Sequence, residues 1–306
     1  MKRQTLFCSA ALALVSVALT RPALAAPPAS CAVISHGGVR STGQSITLDA
    51  TTLRTPDGST SLTIKQMQFS ASTANTAQSL QDQADAASLL LVSAMTGHHN
   101  AACSEWLQRQ GQNVATGLKA GGNYALSWNT ASIQRGTARV GLSAAALKLQ
   151  GNTTAHTSAA TLTMSGLSFH NVANQELLPS SAQAAFSLPA SELPALMAAV
   201  GGRAEQAPAV HVTISNFAAQ RGTVHLQGNG SATLTGDVNA TSASGHLEIT
   251  NLETLIETAR SAQQMKLAAG LVLARLVSKK ADDANAWNTT WSGGVLTVNG
   301  FPLPLK

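Results

Sequence analysis

Apolar and polar residues alternate along much of this chain, which is the period of a half-buried β-strand. The clearest segments are Ile46/Leu48, Tyr124/Leu126/Trp128, Val140/Leu142 and Val224/Leu226. Turn sequences such as Pro56-Asp57-Gly58 and Gly228-Asn229-Gly230 separate the strand patterns. Closely spaced strands with few helices between them are typical of antiparallel meanders. The pattern therefore predicts a strand-dominated α+β fold built on one large antiparallel sheet.

Three segments carry apolar residues at helical spacing instead. The first covers residues 80–94 and ends near Gly97, and the second covers residues 103–118. The third and longest runs from about 252 to 278, with small residues such as Ala269 in its apolar stripe. A membrane-surface helix needs a cationic polar face, whereas the charges here are of mixed sign. We therefore expect two or three helices packed on the sheet, with the long one contributing to the core.

A short strand motif occurs four times, with two alternating apolar residues followed by a third after a three-residue step. The four copies are Leu62–Phe69, Leu162–Phe169, Val212–Phe217 and Leu247–Leu252. The step changes which face of a strand is apolar, so it predicts a β-bulge or the end of the strand. The copies are unevenly spaced, which excludes a fixed-period solenoid. Repeated use of one hairpin design and an old internal duplication both explain the recurrence.

The first 25 residues have the three parts of a secretory signal peptide. Met1-Lys2-Arg3 is basic, residues 6–19 are apolar or small, and Ala23-Leu24-Ala25 is a small-x-small cleavage sequence. About 14 apolar residues are too few to span a bilayer. We predict cleavage after Ala25, a single β-rich domain over residues 26–306, and a periplasmic or secreted protein without a transmembrane segment.

Composition and charge limit the partners of the exported chain. Charged residues make up only 11% of the sequence, and removing the leader lowers the formal charge from +5 to +2. The largest basic cluster is Lys279-Lys280, and aromatic residues make up only 4%. Nucleic-acid binding requires a basic surface or stacking aromatics, so we exclude nucleic acid as a partner.

The leader also removes one of the three cysteines, Cys8, and leaves Cys31 and Cys103. Two cysteines in an oxidising compartment favour one disulfide, although two buried thiols are the alternative. A bond between them would close a loop of about 70 residues and stabilise the fold by roughly 4 kcal/mol in the entropy model.

Motifs for catalysis and cofactor binding are missing from the sequence. There is no nucleophile elbow, S-x-x-K, H-E-x-x-H, Walker loop or G-x-G-x-x-G. The best constellation for a metal is His98-His99 with Cys103 and Glu105, but adjacent histidines diverge and the disulfide competes for the thiol. We therefore predict no catalytic, cofactor or metal residues.

Two further groups at the C-terminal end have a structural and a functional interpretation. Glu253 and Glu257 lie one helical turn apart and could share a proton, but such pairs are more often a solvated helix face. Trp287 and Trp291 are interpreted as core or rim aromatics rather than as a sugar-binding platform.

The C-terminal third resembles an uncharacterised family of bacterial exported proteins. The resemblance lies in the strands of 212–234 and 245–252, the long helix, and the ending G-x-L-x-V-N-G-x-P-L over residues 294–303. The strand pattern is also similar, more distantly, to AsmA-like envelope proteins. That similarity implies a curved sheet with an apolar groove for lipid, and it transfers no catalytic residue. The chain is expected to differ from those proteins in lacking a retained N-terminal membrane anchor, because its apolar leader is predicted to be cleaved.

These features together predict a non-catalytic envelope protein that binds an apolar ligand such as a lipid. The alternative is a structural or protein-interaction module with a solid core. An enzyme whose site is assembled from distant residues is a third hypothesis, which motifs do not address. An apolar cavity would separate the first hypothesis from the second.

Overall fold

The computed structural model describes residues 26–72, 76–97, 100–198, 209–235, 239–281 and 283–303, and within these ranges 16 strands form one antiparallel sheet. In chain order they are β1 (Val33–Ser35), β2 (Gly38–Ser41), β3 (Ser45–Arg54), β4 (Thr60–Ala71), β5 (Asn123–Arg135), β6 (Ala138–Asn152), β7 (Thr157–Ser165), β8 (Ser168–His170), β9 (Ser181–Pro189), β10 (Val210–Arg221), β11 (Val224–Leu234), β12 (Ser242–Thr250), β13 (Lys279–Ala281), β14 (Ala284–Ser292), β15 (Val295–Val298) and β16 (Phe301–Leu303). The predicted signal peptide, residues 1–25, lies outside the described residues.

The strands follow one another across the sheet almost in chain order. The main path is β1-β3-β4-β5-β6-β7-β9-β10-β11-β12-β14-β15-β16, while β2, β8 and β13 pair with β3, β6 and β14. This is an open meander, so the predicted strand-dominated α+β fold with a large curved antiparallel sheet is confirmed.

The helices lie in three of the connections between neighbouring strands. They are α1 (Ala77–Thr96), α2 (Ser104–Lys119), α3 (Leu193–Ala198), α4 (Leu252–Ser261) and α5 (Met265–Leu276). The first two connect β4 to β5, α3 connects β9 to β10, and α4 with α5 lies between β12 and β14. Each excursion returns to the adjacent strand, so the helices cover the sheet without interrupting its order.

Buried apolar residues form two separate cores. The first combines residues of α1, α2 and α3 with those of β3 to β6 and β9. The second is smaller and combines α4 with β12, β14 and β15 around Ile249, Leu252, Ile256 and Trp287. Trp287 is buried and its indole N–H donates to the Ala274 carbonyl at 2.8 Å, as expected for a core aromatic.

A line of irregular pairing crosses the sheet from β3 to β6. The buried residues of each strand there are three apart instead of two: Leu48 and Thr51, Ile64 and Met67, Trp128 and Ala131, Leu142 and Ala145. Between them the ladder skips Ala50, Lys65 and Thr130, and both Ala50 and Thr130 have positive φ. Because the four steps are aligned, the apolar face stays on one side of the sheet as the strands cross this line.

The repeated motif behaves as its three-residue step predicts. The second copy ends β7 at Ser165, the third contains a register shift after Ile214, and the fourth ends β12 at Thr250 directly before α4. In the first copy β4 continues, but its ladder skips Lys65. The recurring sequence thus marks where strand pairing is reset or ends.

The prediction of one continuous helix over 252–278 is wrong in detail, because the chain turns between α4 and α5. Gln263 has φ 59°, and the Gln264 N–H donates to the Ala259 carbonyl at 2.8 Å. This left-handed ending is the one usually made by glycine, but no glycine or proline stands between Ala259 and Met265, so the sequence did not predict the turn. An ion pair between Arg275 and Glu253 joins the end of α5 to the start of α4, so the two helices fold back on each other.

The expectation that this whole segment packs in the core holds for α4 and for one face of α5, where Ala268 is buried and Leu271 and Val272 pack against the second core. Ile256 in α4 is fully buried, whereas Met265, Leu273 and Leu276 in α5 are 63%, 64% and 76% exposed. After the turn at Gln263 only one face of α5 points toward the sheet. The opposite face is exposed and carries an apolar stripe formed by Met265, Leu273 and Leu276. We call these three residues the α5 stripe.

Candidate functional site

An apolar cavity of about 340 Å³ lies between the first three helices and the sheet. One wall is the sheet surface from β4 to β9, and the other is formed by α1, α2 and α3. The helical wall residues are Gln83, Ala86, Ala87, Leu90, Leu91, Ala94, Gln110, Val114, Leu193, Leu196 and Met197. The strand residues are Phe69, Tyr124, Ala125, Leu126, Leu147, Leu149, Ser158, Leu162, Phe186 and Leu188. None of these residues is Asp, Glu, His, Lys or Arg.

Helix α1 supplies much of the cavity wall because alanines recur on its inner face. Ala87, Leu91 and Ala94, apolar residues at helical spacing within the predicted helix of residues 80–94, line the cavity. A methyl side chain fills less space than a leucine, so this face leaves volume open above the sheet. Ala94 is exposed, which indicates that the cavity opens near the C-terminal end of α1. The helix ends as predicted at Gly97, whose φ is 62°.

Glycines let α2 approach the sheet and α3 approach α2. A side chain at Gly151 would collide with the Leu118 backbone, and one at Gly117 would collide with the Tyr124 hydroxyl. At Gly111 a Cβ would lie 2.8 Å from the Met197 sulfur. These close contacts hold α2 and α3 against the sheet and each other, where both line the cavity.

The predicted pairing of Cys31 with Cys103 is present. The two residues form a disulfide with Cα atoms 4.6 Å apart, and both are buried at the start of α2. The Asn100 side-chain amide also donates to the carbonyls of Ser30 and Cys31 at 2.9 and 3.0 Å. The N-terminal segment is thereby held to the connection between α1 and α2.

Besides the Tyr124 hydroxyl, three polar side chains belong to the otherwise apolar cavity wall. Gln83 is 6% exposed, and Gln110 and Ser158 are each 1% exposed. The Gln83 Nε2 donates to Ser79 Oγ at 3.3 Å. The other polar atoms have no hydrogen-bond partner among the described residues: Gln83 Oε1, both Oε1 and Nε2 of Gln110, and Ser158 Oγ. Buried polar groups are usually paired, so this concentration is unusual.

A second group of polar side chains is buried beneath the start of the sheet. His36 Nδ1 lies 2.9 Å from Thr51 Oγ1, and its Nε2 lies 3.3 Å from Asp85 Oδ1. Burial raises the pKa of Asp85, while its hydrogen bond with His36 opposes the rise. Hydroxyl, imidazole and carboxylate thus converge, as the hypothesis of an enzyme assembled from distant residues would require.

The surroundings of this triplet favour a structural role. Thr51, the potential nucleophile, is 1% exposed, and the apolar cavity includes none of the three residues. A substrate has no route to the hydroxyl through that cavity. The triplet instead connects β3 and the loop after β1 to α1.

Asp82 adds a further buried carboxyl to α1. Its Oδ1 accepts a hydrogen bond from Gln78 Nε2 at 2.8 Å, while Oδ2 has no partner among the described residues. Burial raises the pKa of Asp82 to about 6; the Gln78 hydrogen bond opposes this and the nearby Asp85 adds to it.

A third polar group lies on β11, β12 and β14. His246 Nδ1 lies 2.9 Å from Asn288 Oδ1 and His246 Nε2 lies 2.9 Å from Glu248 Oε1, two oxygens that can only accept, and the Gln227 amide donates to Glu248. The hydrogen bonds with Asn288 and Glu248 raise the pKa of His246, and those with Gln227 and His246 lower the pKa of Glu248. These side chains are partly exposed and lie on adjacent paired strands, which is the arrangement of cross-strand pairs on a sheet surface.

The remaining sequence candidates do not converge. Glu253 pairs with Arg275 and Glu257 with Arg260, so the two acids do not share a proton. Glu105 is exposed and lies 3.6 Å from Arg109. His98 and His99 lie outside the described residues, and within those residues no group of three or more His, Cys, Asp or Glu is arranged to hold a metal.

Comparison of the chain with protein families, curated proteins and solved structures found no match. The resemblance of the C-terminal third to bacterial exported proteins therefore stays a prediction. Within the described part of the chain, none of the helices has both the length and the hydropathy needed to cross a membrane.

The alternating strand pattern was sufficient to predict some of the apolar residues that line the cavity, but not the polar ones. Phe69, Tyr124 and Leu126, which line the cavity, belong to segments whose alternation the sequence shows. Gln83 and Gln110 occupy helix positions where a surface glutamine is equally common. Only their burial against the sheet distinguishes them.

Proposed function

We propose that this protein is an exported binding protein of the cell envelope that holds an apolar, lipid-like ligand without acting on it chemically. The apolar cavity between α1, α2, α3 and the sheet is the observation that carries this proposal. Its volume of about 340 Å³ lies within the range of ligand sites, about 300–1,000 Å³. Its wall is aliphatic and aromatic apart from two glutamines, a serine and a tyrosine hydroxyl.

The volume also limits the size of the ligand. A methylene group takes up about as much space as a water molecule, whose share of liquid volume is about 30 Å³. A cavity of about 340 Å³ thus accommodates roughly ten to twelve chain atoms. This supports a single medium-length acyl chain, or part of a longer one that leaves through the opening near Ala94.

The direct test is extraction of the protein as purified from its native compartment. Solvent extraction followed by mass spectrometry should recover an apolar ligand in near-stoichiometric amount. Emptied protein should then bind N-phenyl-1-naphthylamine, and 1-alkanols of six to eighteen carbons should displace it best at about ten to twelve. A protein that is empty as purified and also fails to bind these probes would contradict the proposal.

A filled-cavity variant makes the test specific to this site. Ala87→Phe places an aromatic ring in the cavity and should reduce probe binding strongly. Ala269→Phe makes the same change on the exposed surface of α5 and should leave binding unchanged. Circular dichroism and thermal unfolding establish that both variants fold. Equal binding by the two variants would place the probe elsewhere.

The alternative role, an interaction module of the envelope, is favoured by the α5 stripe. Three large apolar side chains on one exposed helical face are more than scattered surface residues usually provide. If a Leu273→Ser/Leu276→Ser variant keeps the probe affinity of the wild type, the probe binds in the cavity and not on the α5 stripe, which supports ligand binding. A folded wild-type protein that binds no probe in the cavity would favour the interaction module.

A further inference from the structure

The polar side chains in the cavity wall restrict the head group of the ligand, an inference that rests on the proposed binding function. Gln83 belongs to α1, Gln110 to α2 and Ser158 to β7, so three separate elements bring them to one cavity. All three residues are more than nine-tenths buried. Their unpaired atoms are two carbonyl oxygens, one amide nitrogen and one hydroxyl.

Of the three residues, Gln110 has the most unpaired polar atoms. Both its Oε1 and its Nε2 are buried without a partner among the described residues. A buried amide in apolar surroundings gains from any group that pairs with it. The terminal torsion of a glutamine is soft, so its amide can turn toward a group bound in the cavity. A ligand that pairs with it should bind about tenfold more tightly, or better, than a hydrocarbon of the same length.

The wall also determines the charge of that group. No acidic or basic side chain lines the cavity, so a carboxylate or phosphate would lose its hydration there without gaining a counter-ion. Gln83 Oε1 and Gln110 Oε1 can only accept hydrogen bonds, Gln110 Nε2 can only donate, and the Ser158 hydroxyl can do either. A complementary group must therefore be neutral and must both donate and accept.

We infer that the cavity binds an uncharged single-chain amphiphile whose hydroxyl or amide head is held by Gln110 together with Gln83 and Ser158. The chain lies against the aliphatic surface of α1 and the sheet. The head lies against α2, which carries Gln110 and contacts both α1 and β7. Purely apolar hydrocarbons and anionic fatty acids are poorer ligands for this site.

Ligands of one chain length test this inference. Decan-1-ol, decanamide, decane and sodium decanoate are compared at pH 8 by displacement of N-phenyl-1-naphthylamine from the emptied protein. Decan-1-ol and decanamide should bind at least about tenfold more tightly than decane and decanoate. Equal affinity for all four, or tighter binding of decanoate or decane, would overturn the inference and leave the proposed binding function intact. Failure of every probe to bind would refute the binding function itself.

A variant of Gln110 connects the preference to this residue. Gln110→Met keeps a similar length but removes both hydrogen-bonding atoms, so the preference for decan-1-ol over decane should fall by about tenfold. Gln112→Met makes the same change at an exposed position of α2 and should keep the preference. Ser158→Ala provides a second test if Gln110→Met does not fold. An undiminished preference in the folded variants would overturn the assignment.

Discussion

Replacing Asp82 by asparagine should stabilise the protein at neutral pH and leave it unchanged in acid. Asp82 is 1% exposed, and burial raises its pKa from 3.8 to about 6. The charged form is therefore disfavoured in the folded state. The nearby Asp85 on the same helix adds to this rise, and Asp85 itself lies 3.3 Å from His36.

The sign follows from which state holds the proton. Between about pH 4 and pH 6 the folded protein keeps a proton on Asp82 that the unfolded chain releases, so this carboxyl lowers stability as the pH rises. A pKa difference of about two units corresponds to roughly 3 kcal/mol, which is present in full above pH 7 and absent below pH 4. Asp82→Asn removes this cost and keeps the oxygen that accepts from Gln78. We expect the variant to be more stable by about 2–3 kcal/mol at pH 7.5.

Urea unfolding followed by circular dichroism at pH 4 and pH 7.5 measures this difference. Asp49→Asn is the matched control, because the hydrogen bond from Arg40 lowers the pKa of Asp49, assisted by Gln66. The same chemical change should there lower stability at neutral pH rather than raise it. Equal stability of Asp82→Asn and wild type at pH 7.5, or a gain that persists unchanged at pH 4, would refute the assignment of a desolvated carboxyl.

Three further predictions concern stability. Replacing Cys31 and Cys103 together by alanine should lower the free energy of unfolding by about 4 kcal/mol, because the bond closes a loop of 72 residues; an unchanged urea midpoint would contradict this. Ile256→Ala should lower the free energy of unfolding by about 2–5 kcal/mol because its side chain is fully buried, whereas Leu276→Ala on the exposed α5 stripe should change it by less than about 0.5 kcal/mol. Similar losses for both variants would be inconsistent with the packing of α4 and α5. Gln263→Gly should raise the free energy of unfolding by about 1 kcal/mol because its φ of 59° strains a residue with a side chain, and thermal unfolding that shows a loss instead would count against that turn.

Local patterns were sufficient to predict the sheet and its first two helices. Strand alternation is a property of consecutive residues, and the turn sequences between strands limited how they could pair. The same local pattern predicted α1 and its end at Gly97, where left-handed backbone favours glycine. The local pattern did not predict the turn at Gln263, because the packing of α4 against α5 places a residue other than glycine in the left-handed conformation there.

The site itself depended on distances that the sequence does not contain. Alternation placed Tyr124 and Leu126 on one face of a strand, but it did not show that the helices above them leave space. That space is set by long-range contacts, among them the approach of the Leu118 backbone to Gly151. The unpaired amide of Gln110 could not be predicted from the sequence either, because a glutamine side chain lacks a partner only when it is buried away from water.

The sequence by itself determined a strand-dominated meander with few charges, two cysteines available for pairing, and the two helices after β4, because these follow from local periodicity and composition. Only the tertiary structure decided that α4 and α5 are separate, that the steps in β3 to β6 align across the sheet, and that an apolar cavity lies beneath α1. Each of these depends on how elements distant in the chain approach one another. Cavity volume and hydrogen-bond satisfaction are properties of that approach.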